Sequence, residues 1–255
     1  MYKIIRFVLL DVLKSKVLLS YLLLLATITW GVFSLEDNST KGVLTLLNIM
    51  LLTVPLVSII FSTIYVYNSA EFIELLVSQP IKRTKIWTGL YLGINLALFI
   101  AFSIGMGIPI VYMQGFEIGL MVYSVGVLIS CAFVSLALFS AVYTRDKTRG
   151  IGAAIMQWLF FTLLFDALVV LFLFQFSDYP IEELMVGITL LSPVDIARIL
   201  VILQMDIAAM LGHTGAIFKA FFGTTWGLII AYIVLCLWSF IPFVISLQKF
   251  RKKDL

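Results

Sequence analysis

Six long apolar stretches dominate the chain, at 17–35, 43–67, 87–113, 119–143, 151–176 and 224–247. Each holds at least the ~18–20 residues that a helix needs to cross ~30 Å of hydrocarbon. Helix is the required state, because an isolated strand would leave its peptide groups unpaired in lipid. The pattern predicts an all-α integral membrane protein with a single transmembrane domain over 1–255. Two further stretches do not span. Over 1–16, Lys3, Arg6, Asp11 and Lys14 fall on one helical face and Ile4, Ile5, Val8, Leu9 and Val12 largely on the other. That pattern predicts a helix lying in the membrane interface with its basic face toward anionic headgroups. The segment 177–223 is too long for an idle connection. Within it, 194–211 is apolar enough to suggest a seventh span. Asp195, Arg198 and Asp206 argue against that, since each costs about 2.5–3.5 kcal/mol at mid-membrane. The expectation is a helix at the outer surface, its polar stripe turned to water or to a docking partner at Pro193, Asp195, Arg198 and Asp206.

Basic residues set the orientation. Of the 17 lysines and arginines, only Lys41, Arg198 and Lys219 lie between spans one and two or five and six. The rest sit in the N-terminal stretch, the second and fourth connections and the C-terminus. By the bias of Lys and Arg toward the cytoplasmic side, both termini are expected in the cytoplasm, which needs an even number of spans.

Composition narrows the class further. The chain is 62% hydrophobic and only 12% charged, so lipid must solvate most of its outside. The net charge of +3 comes without a basic tract interleaved with aromatics, and nucleic acid is not an expected partner. No GxxxxGK[ST] motif is present, so the chain has no phosphate-cradling loop. His213 is the one histidine, which excludes HExxH-type metal sites and Ser-His-Asp triads. No catalytic residue and no bound cofactor are expected. Cys131 and Cys236 lie in apolar runs and read as small packing residues. Met205, Met210 and His213 carry soft ligands suited to Cu(I), while methionines in such a helix more commonly fill apolar contacts. No metal site is therefore assigned to them. Asp166 stands near the middle of span five. It reads either as a substrate-path or subunit-interface residue, or as a partner in an interhelical hydrogen bond.

The connection between spans two and three is the most informative polar stretch. Glu71 and Glu74 are three residues apart and share a helix face; Leu75 and Leu76 follow, then Pro80 breaks the helix, and Arg83 flanks the next span. An acidic face beside an apolar run suits a helix that fills a groove on a partner.

The run E-L-L-V-S-Q-P-I-K-R, residues 74–83, resembles the E-L-L-x-S-x-P-[ILV]-x-R coupling helix of type 2 ABC exporter permeases. Where the family pattern has Gly-Thr ahead of that glutamate, this chain has Phe72 and Ile73. The plan of the whole chain is similar to that family as well. The resemblance implies a coupling helix over 69–82 that seats in a separate cytoplasmic ATPase through Glu71, Glu74, Leu75, Leu76, Pro80 and Arg83. It also implies a homodimer in a bacterial inner membrane, with ATP and Mg held by the partner ATPase. Two later stretches, F-T-L-L-F-D-A-L-V-V-L at 161–171 and L-L-S-P-V-D-I-A-R-I-L at 190–200, are similar to the NosY-type subgroup, the permeases of nitrous-oxide reductase maturation. Ser192 stands where that subgroup has Asn. The subgroup implies a NosF-like ATPase, a NosD-like periplasmic β-helical protein on the outer segment, and sulfur or copper as cargo. An exporter of lipid, glycan or peptide keeps the same architecture. A secondary transporter or scaffold would lack the ATPase.

Overall fold

The computed structural model describes residues 1–36, 39–176, 182–205 and 224–252. Among them every regular element is helical. The order is α1 (Tyr2–Leu13), α2 (Lys16–Leu35), α3 (Ser39–Asn68), α4 (Ala70–Val77), α5 (Arg83–Phe102), α6 (Ile108–Gln114), α7 (Phe116–Tyr143), α8 (Lys147–Leu159), α9 (Phe165–Gln175), α10 (Glu182–Thr189), α11 (Pro193–Gln204) and α12 (Thr225–Lys252). One π-helical turn, Ser103–Gly107, joins α5 to α6, and a second, Phe160–Leu164, joins α8 to α9. Among the described residues, six continuous helices are long and apolar enough to cross a membrane: α2, α3, α5–α6, α7, α8–α9 and α12. The all-α membrane class follows, as the hydropathy pattern predicts.

Several helices run past the apolar stretches into polar flanks. Ser15 starts α2 by accepting a hydrogen bond from the Leu18 amide at 3.2 Å. Asp146 starts α8 in the same way through Thr148. Such caps satisfy amides that the first helical turn leaves free.

The centre of the bundle is α7, whose central stretch is 78% buried against 6% for α8–α9. It packs on α3, α5, α11 and α12. Lipid tails are as apolar as leucine, so close packing and hydrogen bonds hold such helices together. Small residues permit the packing: the Phe102 ring and the Met50 sulfur press directly on Gly126. Hydroxyls supply the cross-links. Ser58 and Ser130 lie 3.0 Å apart, Ser124 and Tyr232 2.8 Å, and the Trp87 indole donates to Ser246 at 3.0 Å. Ser135 bonds the Ser239 carbonyl across to α12.

Helix α1 lies against the start of α5. Ile4, Val8 and Val12 form its buried stripe, while Lys3, Arg6 and Lys14 are exposed. Glycines make the seat. A Cβ on Gly93 would stand 2.6 Å from Val8 Cγ1, and one on Gly89 2.8 Å from Ile4 Cγ2.

Where the structure describes it, the segment 194–211 packs against the bundle. After α10 the chain turns at Leu190–Ser192 and α11 runs into the bundle, against α3, α7 and α12. The turn is pinned at mid-length of α12, whose Trp238 indole donates to the Leu190 carbonyl at 3.3 Å. Val194, Ala197, Leu200 and Val201 are buried. Asp195 and Arg198 have a partner inside, which lowers the cost that argued for the surface.

Candidate functional site

Two sites collect the residues singled out by the sequence. The first is α4. Helix α3 ends at Asn68, and Ser69 leaves helical geometry before Ala70 restarts it. Glu71 sits in the first turn, where a carboxylate favours the positive end of the helix. Ser78 and Pro80 end the helix, since proline has no amide to donate and restricts the residue before it. The Arg83 guanidinium donates to the Arg251 carbonyl at 3.2 Å, tying the start of α5 to the end of α12.

The helix is two-faced. Ile73 and Leu76 are buried, and Phe72 stacks on Phe7 of α1 with ring centroids 4.7 Å apart. Glu71, Glu74, Leu75 and Pro80 are exposed, with Leu75 at 65%. Leu76 therefore anchors α4 to the bundle. A cavity of about 250 Å³ lies behind the helix, lined by Tyr67, Ile73, Glu74, Trp87, Arg145 and Phe250.

The second site is a charge cluster within the bundle. Asp166 is the second residue of α9, just past the π-turn Phe160–Leu164. Arg198 Nη1 of α11 lies 2.6 Å from Asp166 Oδ2 and 3.6 Å from Asp195 Oδ1. Asp195 is 7% exposed, and its amide is held by Ser192 Oγ at 3.3 Å. Asp195 Oδ2 and Arg198 Nε are buried and, among the described residues, have no hydrogen-bond partner. Two carboxylates thus share one guanidinium. The pair Asp166–Arg198 fastens α11 to span five, and Asp195 supports Arg198 from one turn away on its own helix.

This arrangement joins three residues that the sequence keeps apart. Asp166 has an ion-pair partner from the segment expected outside. Pro193 and Asp195 are buried and Arg198 is half-buried, drawn in by the apolar face of α11 and the Asp166 carboxylate. Met205 closes α11 and is buried at 9% exposure. Asp206, Met210 and His213 lie outside the described residues. Among the described residues no group of three or more His, Cys, Asp or Glu side chains is placed to hold a metal ion.

No protein-family model matches the chain. Two curated proteins do. The probable ABC transporter permease protein NosY of Pseudomonas aeruginosa is 25% identical over 220 residues, covering 78% of this chain and 80% of its own. The protein of the same description from Stutzerimonas stutzeri is 26% identical over 212 residues, covering 74% and 76% respectively. The similarity that the short motifs carry thus extends over about three quarters of the chain.

Proposed function

We propose that this chain is the membrane-spanning subunit of an ABC transporter, and that a separate cytoplasmic ATPase acts on it through α4. The observation that carries the reading is α4 itself. It is a one-sided helix held between two spans, with its apolar face locked down and Glu71, Glu74 and Leu75 turned outward. A groove-filling helix needs that division. Since α4 is continuous with α3 through one residue and packs on α5, whose Arg83 bonds the Arg251 carbonyl of α12, a push on it reaches three spans in turn. ATP and Mg belong to the ATPase. This chain contributes coupling and no catalytic group.

In this reading the ATPase side is the basic end of the bundle, where Lys and Arg gather, with both termini in the cytoplasm of a bacterial inner membrane. Two copies work together. Span five, with only 6% of its central stretch buried, offers the least covered surface for the second copy.

Within this class we read the chain as a NosY-type permease serving metal-centre assembly of nitrous-oxide reductase, with sulfur or copper as cargo. Its partners are a NosF-like ATPase and a NosD-like periplasmic protein. Support comes from the stretches 161–171 and 190–200, whose charged residues meet in one cluster, and from the two similar permeases. The NosD-like contact belongs to the outer segment 177–223.

Co-purification tests the coupling surface. Glu74→Lys should lose the ATPase while the permease still purifies as a folded membrane protein; an undiminished complex defeats the assignment of α4. Deleting the gene in its host tests the cargo. Accumulated nitrous oxide, with reductase present but its copper centre incomplete, supports maturation. Normal consumption would leave an ABC permease with another cargo, such as a lipid, glycan or peptide.

A further inference from the structure

The cluster of Asp166, Asp195 and Arg198 sets two carboxylates against one guanidinium, so one negative charge is in excess. The guanidinium is shared unequally. Arg198 Nη1 stands 2.6 Å from Asp166 Oδ2, a charge-assisted hydrogen bond. At 3.6 Å from Asp195 Oδ1 it makes a charge contact but no hydrogen bond. Asp166 thus keeps its counter-charge and Asp195 goes short.

Asp195 is also the member most removed from solvent. Its side chain is 10% exposed, against 36% for Asp166 and 30% for Arg198. Its Oδ2 is buried and, among the described residues, has no hydrogen-bond partner. An ionised carboxylate so placed is costly, because neither water nor a donor solvates that oxygen. The elements packed on α11 bring no other charge. These are the π-turn 160–164 and helices α3, α7 and α12, which over 42–68, 118–143 and 225–248 carry no Asp, Glu, Lys, Arg or His. Their tyrosines and cysteines are neutral at physiological pH. Helix α11 itself holds no charge besides Asp195 and Arg198. Burial and the adjoining Asp166 carboxylate raise the Asp195 carboxyl above the ordinary carboxylate range, and Ser192 and Arg198 lower it by less.

We infer that Asp195 is a proton-binding site within the bundle, and that the bound proton fastens α11 to span five. With the proton in place the cluster is neutral. The Asp195 acid can then donate to the Asp166 carboxylate, and Arg198 is left to Asp166 alone. Loss of the proton restores the excess charge, sets two carboxylates competing for Arg198 and weakens the link between α11 and α9. A proton suits the site better than a metal ion, since no group of three or more His, Cys, Asp or Glu side chains is gathered among the described residues. Asp166 and Arg198, both partly exposed, give the proton its way in. This inference does not depend on the transport role.

Infrared difference spectroscopy of the full chain in detergent tests it, between about pH 5.5 and about pH 8.5, above the ordinary carboxylate range. The expected result is the C=O stretch of a protonated carboxyl at the acid end, lost at the alkaline end. Asp195→Asn should abolish that band. Asp166→Asn frees Arg198 for Asp195 and should move the loss of the band to lower pH. Stability gives a second readout. An acid raised in the folded chain holds a proton that the unfolded chain has released, so its contribution is present at acid pH and is lost as pH rises through its own pKa. Over the same interval the melting temperature of the parent should therefore fall by about 5 °C more than that of Asp195→Asn, whose side chain stays neutral. No band in the parent, a band unchanged in Asp195→Asn, or equal pH slopes of the two melting temperatures overturns the site. A band that titrates in Asp166→Asn as it does in the parent overturns it as well, whether or not Asp195→Asn folds.

Discussion

Arg198 holds two carboxylates, Asp166 and Asp195, and of the three it is the side chain whose loss should cost most. Removing it leaves Asp166 and Asp195 facing each other with no counter-charge, the costliest way to break a buried pair. Arg198→Met is expected to destabilise the chain by about 3 kcal/mol, at the lower end for buried pairs because Asp166 and Arg198 keep some exposure. Asp166→Asn should cost less, since it removes surplus negative charge and keeps a hydrogen-bond acceptor. The double variant Asp166→Leu, Arg198→Met should lose less stability than the sum of the Asp166→Leu and Arg198→Met losses taken singly. Thermal unfolding in detergent measures these variants, and strict additivity would separate the residues energetically. Asp166 and Arg198 were each legible as anomalies in the sequence, because a charge in an apolar run stands out. Their pairing was not, since nothing local records that residues 32 positions apart meet.

Among elements, the two faces of α4 make a sharp contrast. Leu76→Asp should unseat the helix and lower stability by a few kcal/mol, as burying an unpaired charge does. Leu75→Asp should leave the melting temperature within about 1 °C of the parent, a small surface effect, while reducing ATPase co-purification. If both variants lose only the ATPase, Leu76 is not the anchor. Helix α1 offers a second test. Gly93→Leu would drive side-chain atoms into Val8, an overpacking worth about 1–3 kcal/mol. It should expose a Val8→Cys thiol to water-soluble maleimide. The spans and α4 were readable because run length and Glu-Leu-Leu spacing are local signals. The inward course of α11 was not. Its charges pointed outward by cost alone, while its apolar face and the Asp166 partner decide the matter through tertiary contact. The π-turns also left no mark in the hydropathy pattern, because they change register and not composition.

For the whole molecule, the basic end gathers the connections that matter. The end of α3, α4, the start of α5, the start of α8 and the end of α12 meet there through Lys147–Asn68, Arg83–Arg251 and the Trp87–Phe250 stack. The proposed orientation, which rests on charge bias, has this end in the cytoplasm. A cysteine placed at exposed Ser78 should react with an impermeant maleimide in inverted membrane vesicles and stay silent in right-side-out ones. The reverse labelling would invert the topology and remove α4 from the reach of any cytoplasmic ATPase. The uncovered span five makes a matching demand. Cysteines along its outward face, such as Leu171→Cys, which replaces a leucine 65% exposed, should cross-link two copies. Purely monomeric labelling would leave that face to lipid.

The π-turn at Phe160–Leu164 sets the angular phase of everything beyond it. A π-turn houses one residue more than the α-turn it replaces. The extra residue is absorbed within that one turn, so the side chains beyond it keep the phase that an unbroken α-helix one residue shorter would give them. Drawing the turn into α geometry with no residue removed would leave length, composition and hydropathy untouched, yet it would swing every later side chain by about 100° around the axis and carry Asp166 away from Arg198. A change of winding invisible to any hydropathy plot would thus unfasten α11 from span five.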